Sequence, residues 1–119
     1  MTDKEKEFYV NLLTICPPQF VVFPKIKLAE LIKPSAEFGT ESFITTFKEL
    51  NKIIIDFALF NLNENLTVAL FDFQEDGEFN AQRRKFLEEV SNSIEIKYYC
   101  LSQISELYLI DIFEGNQNV

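Results

Sequence analysis

Asp56 stands inside the run Ile53-Ile54-Ile55-Asp56-Phe57-Ala58-Leu59-Phe60, where burial of an unpartnered carboxylate costs several kcal/mol. Asp72 lies sixteen residues on, again between apolar neighbours, Phe71 and Phe73. If the two segments pair as a hairpin, both acids face one side near one end of a sheet. Two carboxylates in a low-dielectric cleft repel each other unless a divalent cation sits between them. Strand side chains alternate, so Gln74 shares a face with Asp72, while Phe73 points away and offers its backbone carbonyl. The set Asp56, Asp72, Gln74 and the Phe73 carbonyl suits Mg²⁺, which takes one or two carboxylates and keeps several waters. The competing reading is a pair of strand-end acids hydrogen-bonded to nearby backbone. Metal-bound Asp56 and Asp72 would position a hydroxide, with Arg83 or Lys52 as the positive group at a phosphate. For Arg83 the plainer alternative is an exposed or snorkelling side chain. Glu5, three positions before Phe8 on an apolar helical stripe, is expected to point toward the Asp56 end of the sheet.

Other chemistries are excluded by composition. The 119 residues contain no histidine and two cysteines, Cys16 and Cys100, so imidazole bases, Ser-His-Asp triads and His- or Cys-rich zinc sites are ruled out. Any metal must be held by oxygens, which points to Mg²⁺, Mn²⁺ or Ca²⁺. The cysteines read as small buried hydrophobes in a reducing compartment. No apolar run reaches the roughly 18 residues of a membrane span. The opening MTDKEKEF lacks the basic-then-apolar pattern of a secretory signal. Both features lead us to expect a cytoplasmic chain with no membrane partner. Nineteen acids against eleven bases give a net charge of −8. Residues 1–50 hold six bases and seven acids, and residues 51–119 five bases and twelve acids. Lys25, Lys27 and Lys33 make the only basic stretch of the first half, and no basic stripe of the kind nucleic-acid binders use is evident. Nucleic acid is therefore a partner the charge does not support, and a protein partner is the other candidate.

The elements that must position these residues follow from periodicity. Phe8, Leu12, Ile15 and Cys16 predict a helix from residue 3 to about 16, capped by Thr2 and stopped by Pro17-Pro18. Residues 19–24 form a β-rich run that Pro24 ends, unless Ile26 and Leu28 continue it. A short helical turn follows over Leu28–Ile32. Turn chemistry marks the next stretch, and a helix opens at Thr40 or Glu41 and runs to about Leu50. Residues 52–62 and 66–73, apolar on both faces, predict central strands joined by a turn at Asn61–Asn65. Phe79, Phe86, Leu87 and Val90 predict a helix over about 79–92 with Arg83 on the same side. Residues 95–101 predict another strand, Ser102 caps a final helix, and a frayed polar tail begins at about 114. The order α-β-α-β-β-α-β-α argues for one α/β domain over residues 1–119, a mixed sheet with helices on both faces.

Several segments also resemble a known family. Glu5-Lys6-Glu7-Phe8-Tyr9-Val10-Asn11-Leu12 is similar to the E-x-x-F-Y-x-x-L opening of an uncharacterised bacterial domain family of the PD-(D/E)XK, restriction-endonuclease-like nuclease superfamily. That family is often fused to topoisomerase-type zinc fingers. Residues 22–32, VFPKIKLAELI, resemble its V-F-P-x-V-x-L-A-D-L-I segment. Ile55-Asp56-Phe57-Ala58-Leu59 resembles its V-D-F-V-L strand, residues 68–75 its A-I-E-L-D-D strand, and residues 82–86 its R-x-x-F helix. The resemblance spans residues 5–101 and implies an α-β-β-β-α-β core, here with an added short helix and a C-terminal helix. It implies Asp56 as the first metal-binding acid and Glu5 as the helix acid. The strand Glu falls on Asp72 if the turn carries one extra residue, and on Phe71 if it does not. Under the first register the second strand acid falls on Gln74. No lysine occupies the place of the superfamily's catalytic Lys, and the family's His after that strand is missing.

Two functions are therefore expected to compete. One is a Mg²⁺- or Mn²⁺-dependent nucleic-acid phosphodiesterase with a degenerate site, using Asp56, Asp72, Gln74 and Arg83 and binding metal through Asp56, Asp72, the Phe73 carbonyl and Glu5. The other is an inactive nuclease-fold module acting as an acidic protein-interaction domain. The departures from the motif favour weak or lost activity.

Overall fold

A computed structural model of the chain describes residues 1–31, 52–74 and 80–113. The helix expected from Thr40 or Glu41 to Leu50, the turn before it, Phe79 and the polar tail lie outside these residues. The first helix, α1 (Asp3–Ile15), starts in a capping box: the Thr2 hydroxyl accepts the Glu5 N–H and the Glu5 carboxylate accepts the Thr2 N–H. This arrangement satisfies two of the orphan donors at the helix start. Phe8 and Leu12, four apart, form its buried face. Strand β1 (Phe20–Lys27) leads into the single turn α2 (Leu28–Leu31). Strands β2 (Ile54–Asn61) and β3 (Leu66–Phe73) form a hairpin whose turn is fastened by Asn61, its side-chain oxygen accepting the N–H groups of Asn63 and Glu64. Helix α3 (Ala81–Ser93), capped by Asn80, carries the chain to β4 (Lys97–Leu101), and a 3-10 helix covers Ile104–Tyr108.

The four strands make one mixed sheet in the order β1-β2-β3-β4. The first two pairings are antiparallel, and β4 lies parallel to β3, a connection that needs a crossover and finds it in α3. One face of the sheet buries Phe8 and Leu12 of α1 against Phe57, Leu59, Phe71, Phe73 and Leu107. The opposite face buries Leu28, Ile55, Ala58, Leu70 and Leu87. Helical elements thus cover both faces, which is why β2 and β3 read as near-continuous apolar runs.

Of the two readings of the first strand the continued one holds: β1 runs through Pro24 to Lys27, and as an edge strand of the sheet it tolerates a residue without an N–H. Two other local expectations are corrected. The strand expected from residue 52 starts at Ile54. The C-terminal segment is a 3-10 helix followed by bends rather than an α-helix to Phe113. Ile104, Leu107, Ile110 and Phe113 all belong to the core, and their spacing of three matches the 3-10 period rather than the α-helical 3.6.

The β2–β3 hairpin contains a one-residue irregularity that matters for the site. Pairing runs Asn61–Leu66 and Phe60–Thr67 near the turn, then resumes as Leu59–Ala69 and Phe57–Phe71. Val68 is left without an opposing partner, as in a β-bulge. Continued to the end of the hairpin, the second register sets Asp56 opposite Asp72; the first would have set Phe71 there. The described helices include none long and apolar enough to cross a membrane.

Candidate functional site

The end of the sheet where β2 begins and β3 finishes opens into a pocket of about 410 Å³. It is lined by Thr2 and Glu5 from α1, Ile54 and Asp56 from β2, Asp72, Phe73 and Gln74 from β3, and Asn80 and Arg83 from the start of α3. Six of the candidate residues named from the sequence (Glu5, Asp56, Asp72, Phe73, Gln74 and Arg83) meet there, whereas Lys52, the alternative to Arg83, is not in the lining.

The two strand acids hold the end of the hairpin together. The Asp56 backbone N–H donates to Oδ1 of Asp72 at 3.3 Å, and the Phe73 N–H donates to Oδ2 of Asp56 at 2.9 Å. Each carboxylate therefore accepts a donor of the neighbouring strand where the regular ladder stops. Asp72 is 1% exposed. Arg83 grips it bidentately, Nε to Oδ2 at 3.1 Å and Nη2 to Oδ1 at 3.2 Å, and the Tyr98 hydroxyl donates to Oδ2 at 2.7 Å. Nη2 also donates to the Ile54 carbonyl at 2.6 Å, so Arg83 ties α3 to both strands. Arg83 is here the counter-ion of Asp72. Burial pushes the Tyr98 phenol far above its ordinary range, and the neighbouring Asp72 adds to the effect, so the hydroxyl stays protonated as a donor.

Asp56 and Glu5 share a different cation. Lys25 Nζ donates to Oδ1 of Asp56 at 2.8 Å and also to Oε2 of Glu5. Lys25 falls between the paired residues Pro24–Phe57 and Ile26–Ile55 of the β1–β2 ladder, directly across from Asp56. Its backbone is left-handed, φ 50°, a conformation that costs a non-glycine residue about 1–3 kcal/mol and collects at functional sites. Burial works against the Lys25 ammonium, but hydrogen bonds to Asp56 and Glu5 outweigh it and raise its pKa. The two acids respond differently. Desolvation dominates at Asp56 and, with the Asp72 charge beside it, pushes its carboxyl up despite Lys25 and the Phe73 N–H. At Glu5 burial also raises the value, yet Lys25 and the Thr2 cap together outweigh it and lower the pKa. Asp56 lies beside a second acid, whereas Glu5 carries the donors of the Thr2 cap, which accounts for the opposite signs.

Gln74 is engaged as well. Its side-chain oxygen accepts the Asn80 N–H at 3.2 Å and faces Cys100 Sγ at 3.7 Å. The clustered acids are offset by the chain itself: two positive side chains enter the cluster, Lys25 from β1 and Arg83 from α3. From the sequence Lys25 is read only as part of a basic stretch, and Tyr98 is not singled out. Tyr98 had one usable signal, since it lies two residues before Cys100, the pairing partner of Asp72 in the parallel β3–β4 register.

Among the described residues, no group of three or more Cys, Asp or Glu side chains has metal-holding geometry. A family model described as a protein of unknown function, DUF2726, matches residues 1–96. No curated protein and no solved structure gives a significant match.

Proposed function

We propose that this chain, which belongs to the DUF2726 family, is a restriction-endonuclease-like module of the PD-(D/E)XK type that binds a protein partner and does not cleave nucleic acid. Support for the fold comes from the element order, α-β-β-β-α-β with the added turn α2, and from a sheet whose last strand alone is parallel to its neighbour. Support for a site descended from a nuclease centre comes from Glu5, Asp56 and Asp72 lining one pocket from three core elements, α1, β2 and β3. Fold by itself decides nothing about activity.

The observation that carries the loss of chemistry is the state of Asp72. Its two oxygens accept four donors, from Arg83 twice, Tyr98 and the Asp56 N–H. A carboxylate offers about four lone-pair sites, so none remains for a metal. Both oxygens of Asp56 are likewise engaged, by Lys25 and by the Phe73 N–H. This donor set does not fit a divalent ion, and we route no hydrolytic step through one. With a net charge of −8 the chain also repels phosphates at long range. The partner that suits a chain of this net charge is a protein with a basic surface.

The test is incubation of the full chain with single- and double-stranded DNA and RNA in Mg²⁺ or Mn²⁺, beside Asp56→Asn. We expect no cleavage above that variant and no salt-dependent nucleic-acid binding. Cleavage by the wild type that Asp56→Asn abolishes overturns the reading in favour of a metal-dependent phosphodiesterase.

A further inference from the structure

We propose that the ammonium of Lys25 replaces the divalent cation of this site, so that the domain carries a tethered, metal-independent counter-charge between α1 and β2. The inference rests on the reading above and deepens it. A metal at such a centre does two things: it cancels the repulsion of carboxylates from different elements and fixes their relative positions. Lys25 does both. Its Nζ bonds one oxygen of Asp56 on β2 and one oxygen of Glu5 on α1, two acids 51 residues apart in the chain. An ammonium has three donors in tetrahedral array and no acceptor, which allows it to bridge two carboxylates at once.

The position of Lys25 fits this substitution. An extended strand residue has no need of a positive φ, yet Lys25 adopts φ 50° between two regularly paired neighbours. The departure coincides with a side chain that reaches both acids at the end of the sheet. The remaining acid is neutralised separately: Arg83 takes both oxygens of Asp72. Three carboxylates and two cations leave the cluster near charge balance, and each acid keeps a positive partner supplied by the chain itself. The side chains of Glu5 and Asp56 are 13% and 17% exposed, against 41% for Lys25, so the cation closes the cluster from its solvent side.

Removing the tethered charge should convert the acid pair into a site that needs an external cation. The experiment is thermal unfolding and isothermal titration of the full chain with Mn²⁺, comparing wild type, Lys25→Met and Lys25→Met/Asp56→Asn. Wild type is expected to show no saturable heat, and its melting temperature should not change with Mn²⁺ or EDTA beyond an ionic-strength control. Lys25→Met should melt lower without metal and regain about 5 °C at ten times its Kd for Mn²⁺. The double variant should lose that response. If Lys25→Met does not fold, Lys25→Gly, which suits the left-handed backbone, takes its place in the same measurements. A folded Lys25 variant with no Mn²⁺ response, or a wild type that responds as strongly as the variant, overturns the proposal. The two failures are distinguishable. An inactive wild type with an unresponsive Lys25 variant refutes only the role of Lys25, whereas metal-dependent cleavage by the wild type refutes the reading of the site.

Discussion

Replacing Arg83 by Met keeps the apolar stem and removes three hydrogen bonds, two to Asp72 and one to the Ile54 carbonyl. Asp72, 1% exposed, is then left with only the Tyr98 hydroxyl and the Asp56 N–H as donors. Breaking a buried ion pair from one side costs about 3–5 kcal/mol, because the remaining charge is left uncompensated. The lower end applies here, since Arg83 retains 28% side-chain exposure and two donors to Asp72 survive. A loss of about 3 kcal/mol in a domain of this size lowers the melting temperature by roughly 10–15 °C. Urea unfolding of wild type, Arg83→Met, Asp72→Asn and the double variant measures the coupling. Asp72→Asn alone should cost about 1–2 kcal/mol, because the amide still accepts one donor and Arg83 can reach water. The double variant should be no worse than Arg83→Met, a coupling of about 1.5 kcal/mol. Additivity within about 0.5 kcal/mol would mean the two side chains do not act on each other, and the argument for a clamped Asp72 would fail.

Three further outcomes can be checked independently. Thr2→Ala removes the capping hydroxyl that accepts the Glu5 N–H and should cost about 1 kcal/mol in urea unfolding. The Cys16 thiol is pushed up to about 11 by burial; against its ordinary value of 9.0 this leaves about 100-fold less thiolate. Iodoacetamide labelling followed by mass spectrometry should be slower by that factor in native than in unfolded protein. Burial is the largest single influence on Glu106 and raises its value, but the N–H groups of Ser102 and Gln103 and the Ser102 hydroxyl, all donating to its carboxylate, together outweigh it and hold the carboxyl below the ordinary value of 4.5. The native state therefore releases the Glu106 proton more readily than the unfolded chain, and the resulting stability is present above pH 4.5 and lost as pH falls through the lowered value. The stability gap between wild type and Glu106→Gln should shrink on acidification from pH 6 to pH 3.5, read as melting temperature.

The sheet was legible in the sequence because its strands are covered on both faces, and apolar runs bounded by turn residues are the clearest signal a strand gives. Asp56 and Asp72 were legible as a pair because acids inside such runs have few tolerable placements. Arg83 could be placed on the sheet-facing stripe of α3, but its partner could not, since a long flexible stem reaches solvent or carboxylate equally well. Lys25 was not legible as a site residue. Pattern reading assumes extended backbone through a strand, and a left-handed residue breaks that assumption without a glycine to announce it. The last segment was misread because its apolar residues also satisfy part of a helical stripe over so short a length.

Val68 gives the hairpin two lengths, one counted along the chain and one along the ladder. The sixteen-residue separation of Asp56 and Asp72 contains one residue that advances the chain without advancing the pairing. A related chain lacking Val68 would run from Phe60–Thr67 to Leu59–Ala69 without a break and still set Asp56 opposite Asp72, whereas one that kept the residue but paired without the bulge would bring Phe71 opposite Asp56. Spacing between motif residues is then an unsafe guide to whether a member of this family keeps the site. The dependable marker is the pairing itself: an extra residue on one arm keeps the acids opposite each other only where a bulge absorbs it. Insertions confined to the Asn61–Asn65 turn leave that pairing alone, so the turn can diversify while the acids stay in step.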